Sequence, residues 1–389
     1  MNFDTFKQLV TRITQTESTL RSVEMAYRFT YPRKSMRMAQ AIKRFKECDI
    51  KKPRSRIKQE MSLCKKFWGC YPLHYYRYDL YKKEKELSET EILNYIPEFF
   101  FYYLFLPYYD STKYTILLTD KNITEQLFRS LVIRQAHTIC KLINGRLYTN
   151  KLVETNFSRI EKELEEKNYQ KIFVKPLDGQ GGYGIYIFHN KDNGKYITKY
   201  KDVLTEDFLR KIAVKKDYIV QPGLIQDPEI SRIYPHSVNT FRIATENKNG
   251  DVRILCATLR LGRGGNEVDN SAQDGIITKV DVETGRIGNL ATSEQCEYFE
   301  KHPDTRFVFK KNRISNWNKV KQFAICSAKK MPQFTYLGWD IALTQEGPLA
   351  VETNLKFGLD HYQVALGGLR EIFQISDPKF YWKNREKRV

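Results

Sequence analysis

Apolar residues recur at helical spacing through the first 70 or so residues, as in FKQLVTRI and MAQAIKRFKE, so this stretch is expected to be mainly helical. From Tyr218 onward the pattern shortens. DYIVQPGLI, VNTFRIATE, DVRILCATLRLG and GIITKVDVET read as strands, punctuated by the turn pairs Asn249-Gly250 and Thr284-Gly285. Between these halves, Glu98 to Tyr109 (EFFFYYLFLPYY) is an aromatic, apolar run too short to cross a bilayer, which suits a core helix or strand better than an interfacial insert. SETEILNYI at Ser88 has the form of a capping box. The segment YTILLTDKNITEQLF, Tyr114 to Phe128, reads as strand, turn and helix, with Thr119 or Asp120 at the helix start. Residues 151–188 read as a charged helix leading into a strand, a glycine loop and a second strand. The chain thus divides into a basic, tyrosine-rich helical region (1–110), a mixed region with the glycine loop (111–217) and a strand-rich region (218–389).

Composition narrows the class. A chain of 389 residues suggests two or three domains with real cores. It has no run of about 18 apolar residues, and MNFDTFKQLV lacks a signal-peptide core, so a cytosolic protein is expected. The seven cysteines form no CxxC pair and are odd in number, which fits reduced, packed thiols rather than a disulfide frame or zinc site. Net charge is +19, and residues 31–58 alone carry eleven Lys or Arg against Glu47 and Asp49. Such a run can be a solvated helical face, a dock for an anionic membrane leaflet or an acidic glycan, or a phosphate-binding surface. With no zinc-finger, RNP-like or helix-turn-helix signature, nucleic acid is the poorest fit.

Two constellations carry chemistry. In KIFVKPLDGQGGYGIYIF, Lys171 to Phe188, Lys175 can project from the face opposite Val174, and Pro176 closes the strand. Gly179, Gly181, Gly182 and Gly184 follow, with Gln180 among them; glycine lets backbone N–H groups approach phosphate oxygens, although a plain glycine hairpin has the same look. This is no Walker A loop, and no helix pattern follows as a dinucleotide fingerprint requires. Far downstream, YLGWDIALTQEGPLAVETNLKFG reads as a hairpin that sets Asp340 near Glu352 and Asn354 across the ladder. Glu352 and Asn354 share one strand face, and two carboxylates with an amide oxygen are hard ligands suited to Mg²⁺.

The order of these elements resembles the ATP-grasp superfamily over about 240 residues, from Thr119 to Gly358. The lead-in ending in TDKN, the SVNTFR segment and the LRLGRGGNEVDN loop look like its sugar-transfer-associated group, related to the α-L-glutamate ligases and linked to surface polysaccharide synthesis. The resemblance implies an α+β fold with two subdomains clamping ATP, and a carboxylate-activating ligase using ATP and two Mg²⁺ ions. It implies that Lys121 and Lys175 neutralise phosphates, that the Gly179–Gly184 loop is a flap over them, and that the DYIVQ hinge, with Val220 and Gln221, recognises adenine through its backbone. Gln221-Pro222 departs from the family's acidic ribose contact. Asp340, Glu352 and Asn354 match the metal ligands, and Arg242 the cation that meets charge on the γ-phosphoryl group. Arg260 and Arg263 are candidates for the acceptor carboxylate or acyl-phosphate, Arg263 the better placed on its GRGG loop. Asn239 and Asn270 can be loop caps or ligands, and His361 can line the acceptor site. A carboxylate and an amine are the implied substrates. A kinase acting on a hydroxyl and a non-catalytic nucleotide-binding module stay open beside the ligase.

Overall fold

The computed structural model describes residues 17–110, 112–178, 184–191, 194–269 and 273–384. The chain opens with helices α1 (Glu17–Lys34), α2 (Met36–Glu47) and α3 (Arg54–Trp68). Ser35 accepts the Met38 N–H to cap α2, and Gly69 ends α3 in the left-handed conformation a side chain resists. The aromatic run is helical: Glu98–Phe100, a π turn over Phe101–Phe105, then Leu106–Tyr109. It is core. Phe101 stacks on Phe105 and meets Phe357 and Phe373, while Phe105 reaches Tyr336 and Tyr381. The helical region therefore shares one apolar core with Ala244, Cys256 and Tyr336 of the strand-rich region.

Helix α4 (Lys121–Ser130) begins at Asp120, whose side chain accepts the Ile123 N–H. The preceding Ile116–Thr119, read from sequence as a strand, is a short helix. A four-residue apolar run has no period long enough to tell the two apart, and packing decides it.

Two antiparallel sheets follow. The first has order β2-β1-β6-β3-β4-β5, made of β1 (Cys140–Ile143), β2 (Arg146–Tyr148), β3 (Lys171–Pro176), β4 (Tyr186–Asn190), β5 (Tyr196–Thr198) and β6 (Tyr218–Pro222). Its β3–β4 hairpin is the strand pair expected around the glycine loop. Strand period 2 sends Ile172 and Val174 into a core with Phe157, Ile160 and Leu164 of α5 (Phe157–Lys167). Lys171, Phe173 and Lys175 take the other face. The second sheet has order β11-β10-β9-β8-β7-β12-β13, from β7 (Thr240–Lys248), β8 (Asp251–Leu261), β9 (Ile276–Val280), β10 (Ile287–Ser293), β11 (Tyr298–Phe299), β12 (Tyr336–Thr344) and β13 (Gly347–Asn354). One face sends Phe241, Ile243, Leu259, Trp339 and Ile341 into a core with Trp317, Val320 and Ala324 of α6 (Trp317–Lys329). The opposite face carries the charged residues, and α7 (Leu359–Leu366) packs beside it.

Candidate active site

On the face of the second sheet opposite the Trp317 core, three neighbouring strands bring the predicted residues into register. Arg242 on β7 lies opposite Asp340 on β12, and Asp340 opposite Glu352 on β13; Gly338 lies opposite Asn354. Directly opposed residues in an antiparallel ladder point to the same face, so Arg242, Asp340, Glu352 and Asn354 share one. A bulge places Val351 in excess on β13, between the Asp340–Glu352 and Ile341–Ala350 pairs. It turns Val351, which alternation alone would bury, out to solvent.

Arg242 grips Asp340 with two donors, Nε to Oδ1 at 2.8 Å and Nη2 to Oδ2 at 2.7 Å. Arg260 adds Nη1 to Oδ2 at 3.0 Å and spends Nη2 on Asp269 Oδ1 at 3.1 Å. Burial alone would raise the Asp340 pKa, but Arg242 and then Arg260 outweigh it and hold the carboxyl down at about 2. Asp340 is thus ionised, and among the described residues its Oδ1 accepts the Arg242 Nε bond alone, which leaves a lone pair for a cation. Arg242 is both a structural ion pair and a cation on the site face. Its Nη1 lies 3.0 Å from His361 Nδ1. A guanidinium only donates, so Nδ1 accepts, and the imidazole proton sits on Nε2, 2.7 Å from Glu294 Oε1.

Lys175 comes from β3 of the first sheet, and Lys121 from the start of α4, whose Phe128 packs in the core of the second. The Lys121 backbone N–H donates to Leu177 O at 3.1 Å, which docks the start of α4 against the end of β3. Lys175 Nζ donates to Gln221 Oε1 at 3.2 Å, and Gln221 Nε2 to Thr138 Oγ1 at 3.3 Å. Burial, followed by the charge of Lys121, pushes the Lys175 ammonium down to about 8, with Glu352 opposing. Burial likewise lowers Lys121 against the attraction of Glu352, Asp178 and Asp120. Two half-buried ammonium groups, both lowered by burial and Lys175 further by the charge of Lys121, with a carboxylate of the other sheet attracting each, make a place for a polyanion accompanied by a cation.

Other expected residues lie elsewhere. Val220 is in the core of the first sheet on a strand flanked on both edges, and its carbonyl accepts the Ile139 N–H at 2.9 Å. Of the hinge pair, Gln221 reaches Lys175 through its side chain. Arg263 does not join the Asp340 cluster: its Nε donates to Asp274 O at 2.6 Å, and its guanidinium pairs with the Asp274 carboxylate and lies over the Phe299 ring. Asn239 is a loop cap, donating to Tyr234 O at 2.7 Å and taking Gln226 Oε1 on its N–H at 3.0 Å. Gly179, Gln180, Gly181, Gly182 and Asn270 lie outside the described residues. Gly184 is described, with φ of +74°, a conformation that favours glycine. The loop after β8 is tied to the first sheet, because Glu267 takes Lys171 Nζ at 2.7 Å and His189 Nε2 at 3.0 Å.

The sequence reading missed the second row of charges behind Arg242. Arg37 pairs with Glu294 at 2.6 Å and with Asp360 at 3.1 Å, and Arg77, almost fully buried, reaches Asp360 at 3.2 Å. In the sequence Arg37 is one cation among eleven in a basic run, with nothing local to mark its partners. No group of three His, Cys, Asp or Glu side chains poised for a metal occurs among the described residues. The acidic pair with an asparagine is instead a partial oxygen set of the kind completed by phosphates.

A model of the sugar-transfer-associated ATP-grasp family matches residues 102–374. The chain belongs to that family. The ATP-grasp domain thus takes in the last part of the aromatic helix as well as both sheets. No curated protein matches the sequence. Among solved structures, similarity extends to the biotin carboxylase domain of Hydrogenobacter thermophilus 2-oxoglutarate carboxylase, solved with MgADP, at 12% identity and TM-score 0.38 over 70% of this chain and 46% of that one. It extends also to Aspergillus clavatus N5-carboxyaminoimidazole synthase, solved with ADP (10%, 0.38, 71% and 56%), and to the VanG D-Ala:D-Ser ligase of Enterococcus faecalis (12%, 0.39, 68% and 61%). This ATP-grasp chain spans less than two thirds of each of these three proteins. No helix among its described residues is long and apolar enough to cross a membrane.

Proposed function

We propose that this protein is an ATP-dependent carboxylate–amine ligase that forms an amide through an acyl-phosphate, acting on a sugar acid or amino acid in surface polysaccharide synthesis. The observation that carries the reading is the facing of Lys121 and Lys175 toward Glu352, with Arg242, Asp340 and Arg260 on the same sheet face. Lys121 and Lys175 hold the ATP phosphates beside the glycine flap. Glu352, Asn354 and the remaining Asp340 lone pair would hold Mg²⁺, two ions being the family's expectation, which supply charge neutralisation at the phosphates. The acceptor carboxylate attacks the γ-phosphorus as its bond to the bridging oxygen breaks and ADP leaves, and Arg242 meets the charge that spreads over the transferring group, so catalysis is positional and electrostatic. The amine then attacks the acyl-phosphate carbon, and inorganic phosphate leaves. Arg260 is the better candidate than Arg263 for the acyl-phosphate, because it shares the Asp340 face.

The test is release of ADP and phosphate from protein, MgATP, uronic acids and amino acids, with the product weighed by mass spectrometry. Amide formation that needs both carboxylate and amine supports the ligase. A stable phosphoester would point to a kinase, absence of ADP to a binding module, and turnover with non-sugar carboxylates alone would remove the glycan acceptor.

A further inference from the structure

The basic run is not one surface. Arg37 and Arg44 turn inward, to Glu294 and Asp360 and to Asp79, and Lys52 is buried against Glu60. What stays outside is a compact patch at the junction of α1 and α2. Met25 and Phe29, one helical turn apart on the solvent side of α1, are 61% and 55% exposed, and Met36 at the start of α2 is 64% exposed. Arg33 and Lys34 stand between Phe29 and Met36 and are exposed, Lys46 continues the cations along α2, and Lys43 pairs with Glu47 at 3.8 Å. Between Ser18 and Lys46 the only acid is Glu24, and it is turned inward to the Tyr71 N–H at 2.8 Å.

We infer that this patch docks the protein on an anionic lipid surface. A flat array of cations alone would fit any polyanion, but it gives no reason for three large apolar side chains to stand in water among them. A bilayer interface uses both: acidic headgroups attract the cations, and Met25, Phe29 and Met36 enter the boundary between headgroup and acyl chain. The aromatic ring and two unbranched thioether chains suit that depth, since each can bury without a polar group to satisfy. The acids of these two helices stand at their outer ends, Glu17 beside Arg21 and Glu47 beside Lys43, and the one acid between them, Glu24, is turned inward. The inference stands apart from the ligase reading, because none of these residues touches the sheet face that holds Asp340.

Flotation of the full chain with vesicles tests it. Phosphatidylcholine vesicles containing phosphatidylglycerol should bind the protein at least about tenfold more than phosphatidylcholine alone, and high salt should release it. Arg33→Gln with Lys34→Gln should weaken binding by about thirtyfold. Met25→Ser with Phe29→Ser, which leaves charge unchanged, should weaken it by about tenfold. All four positions are at the surface, so the circular dichroism and melting temperature of both variants should match the parent. Equal partition onto both vesicle types, no binding, or full binding by the Met25→Ser, Phe29→Ser variant would overturn the inference; the last result would mark an electrostatic site for an acidic macromolecule.

Discussion

Raising the pH from 7 to 9 should release nucleotide, through Lys175. Burial and then the Lys121 charge push its pKa from the ordinary lysine value down to about 8. Near pH 7 the side chain is about nine-tenths protonated, and near pH 9 about one-tenth, by the titration of a single group. A phosphate bound to the ammonium raises its pKa, so binding above pH 8 must take up a proton. The dissociation constant for ADP should then rise about tenfold from pH 7 to pH 9, measured by calorimetry in buffers of differing ionisation enthalpy so that proton uptake is read directly. Two variants locate the effect. Lys175→Met should bind more weakly and with little pH dependence, and Lys121→Met, which removes the like charge, should shift the midpoint upward. Stability has the opposite sense from affinity. The unfolded lysine keeps its proton to about pH 10.4 while the folded one releases it near 8, so stability rises across that window, by at most about 3 kcal/mol. A wild-type affinity that is flat from pH 7 to 9, or a slope that survives in Lys175→Met, would refute the reasoning.

Glu352→Gln should lower turnover by about 10² to 10³ while the fold, read by circular dichroism, is kept; near-normal activity would return Glu352 to the solvated surface. Arg77→Met leaves Asp360 with Arg37 as its remaining arginine in a buried place and should cost about 3 kcal/mol in urea unfolding. Gly338→Ala would set a Cβ 1.9 Å from the Phe357 Cβ, so it should lower the melting temperature and displace Phe357, with about 1–3 kcal/mol lost; an unchanged melting temperature would contradict the packing between β12 and the segment before α7.

The strands were legible because sheets buried on one face repeat with period 2, and Lys175 shows it: Val174 enters the core while its neighbour reaches Gln221. The Asp340–Glu352 pairing was legible for a similar reason, since QEGP fixes a turn and the turn fixes the register. The bulge at Val351 left no sign in the sequence, because an extra residue in one strand depends on the partner strand. Ile116–Thr119 went wrong for want of length. The charged residues were the least legible. Arg37 and Lys43 read alike in a basic run, yet one lies on Glu294 and Asp360 and the other is exposed beside Glu47, partners that tertiary structure decides. Likewise Arg260 and Arg263 differ by three residues, and the strand end between them sends one to Asp340 and the other to Asp274.

The central claim is that ATP activates a carboxylate on this sheet face. Its most direct test is isotopic: an acceptor acid labelled with ¹⁸O in its carboxylate, turned over with MgATP and an amine, followed by mass analysis of the phosphate released. Transfer of one ¹⁸O per phosphate is the result expected for an acyl-phosphate, since the oxygen that attacked the γ-phosphorus leaves with it. Phosphate free of label, with amide formed, would contradict the account.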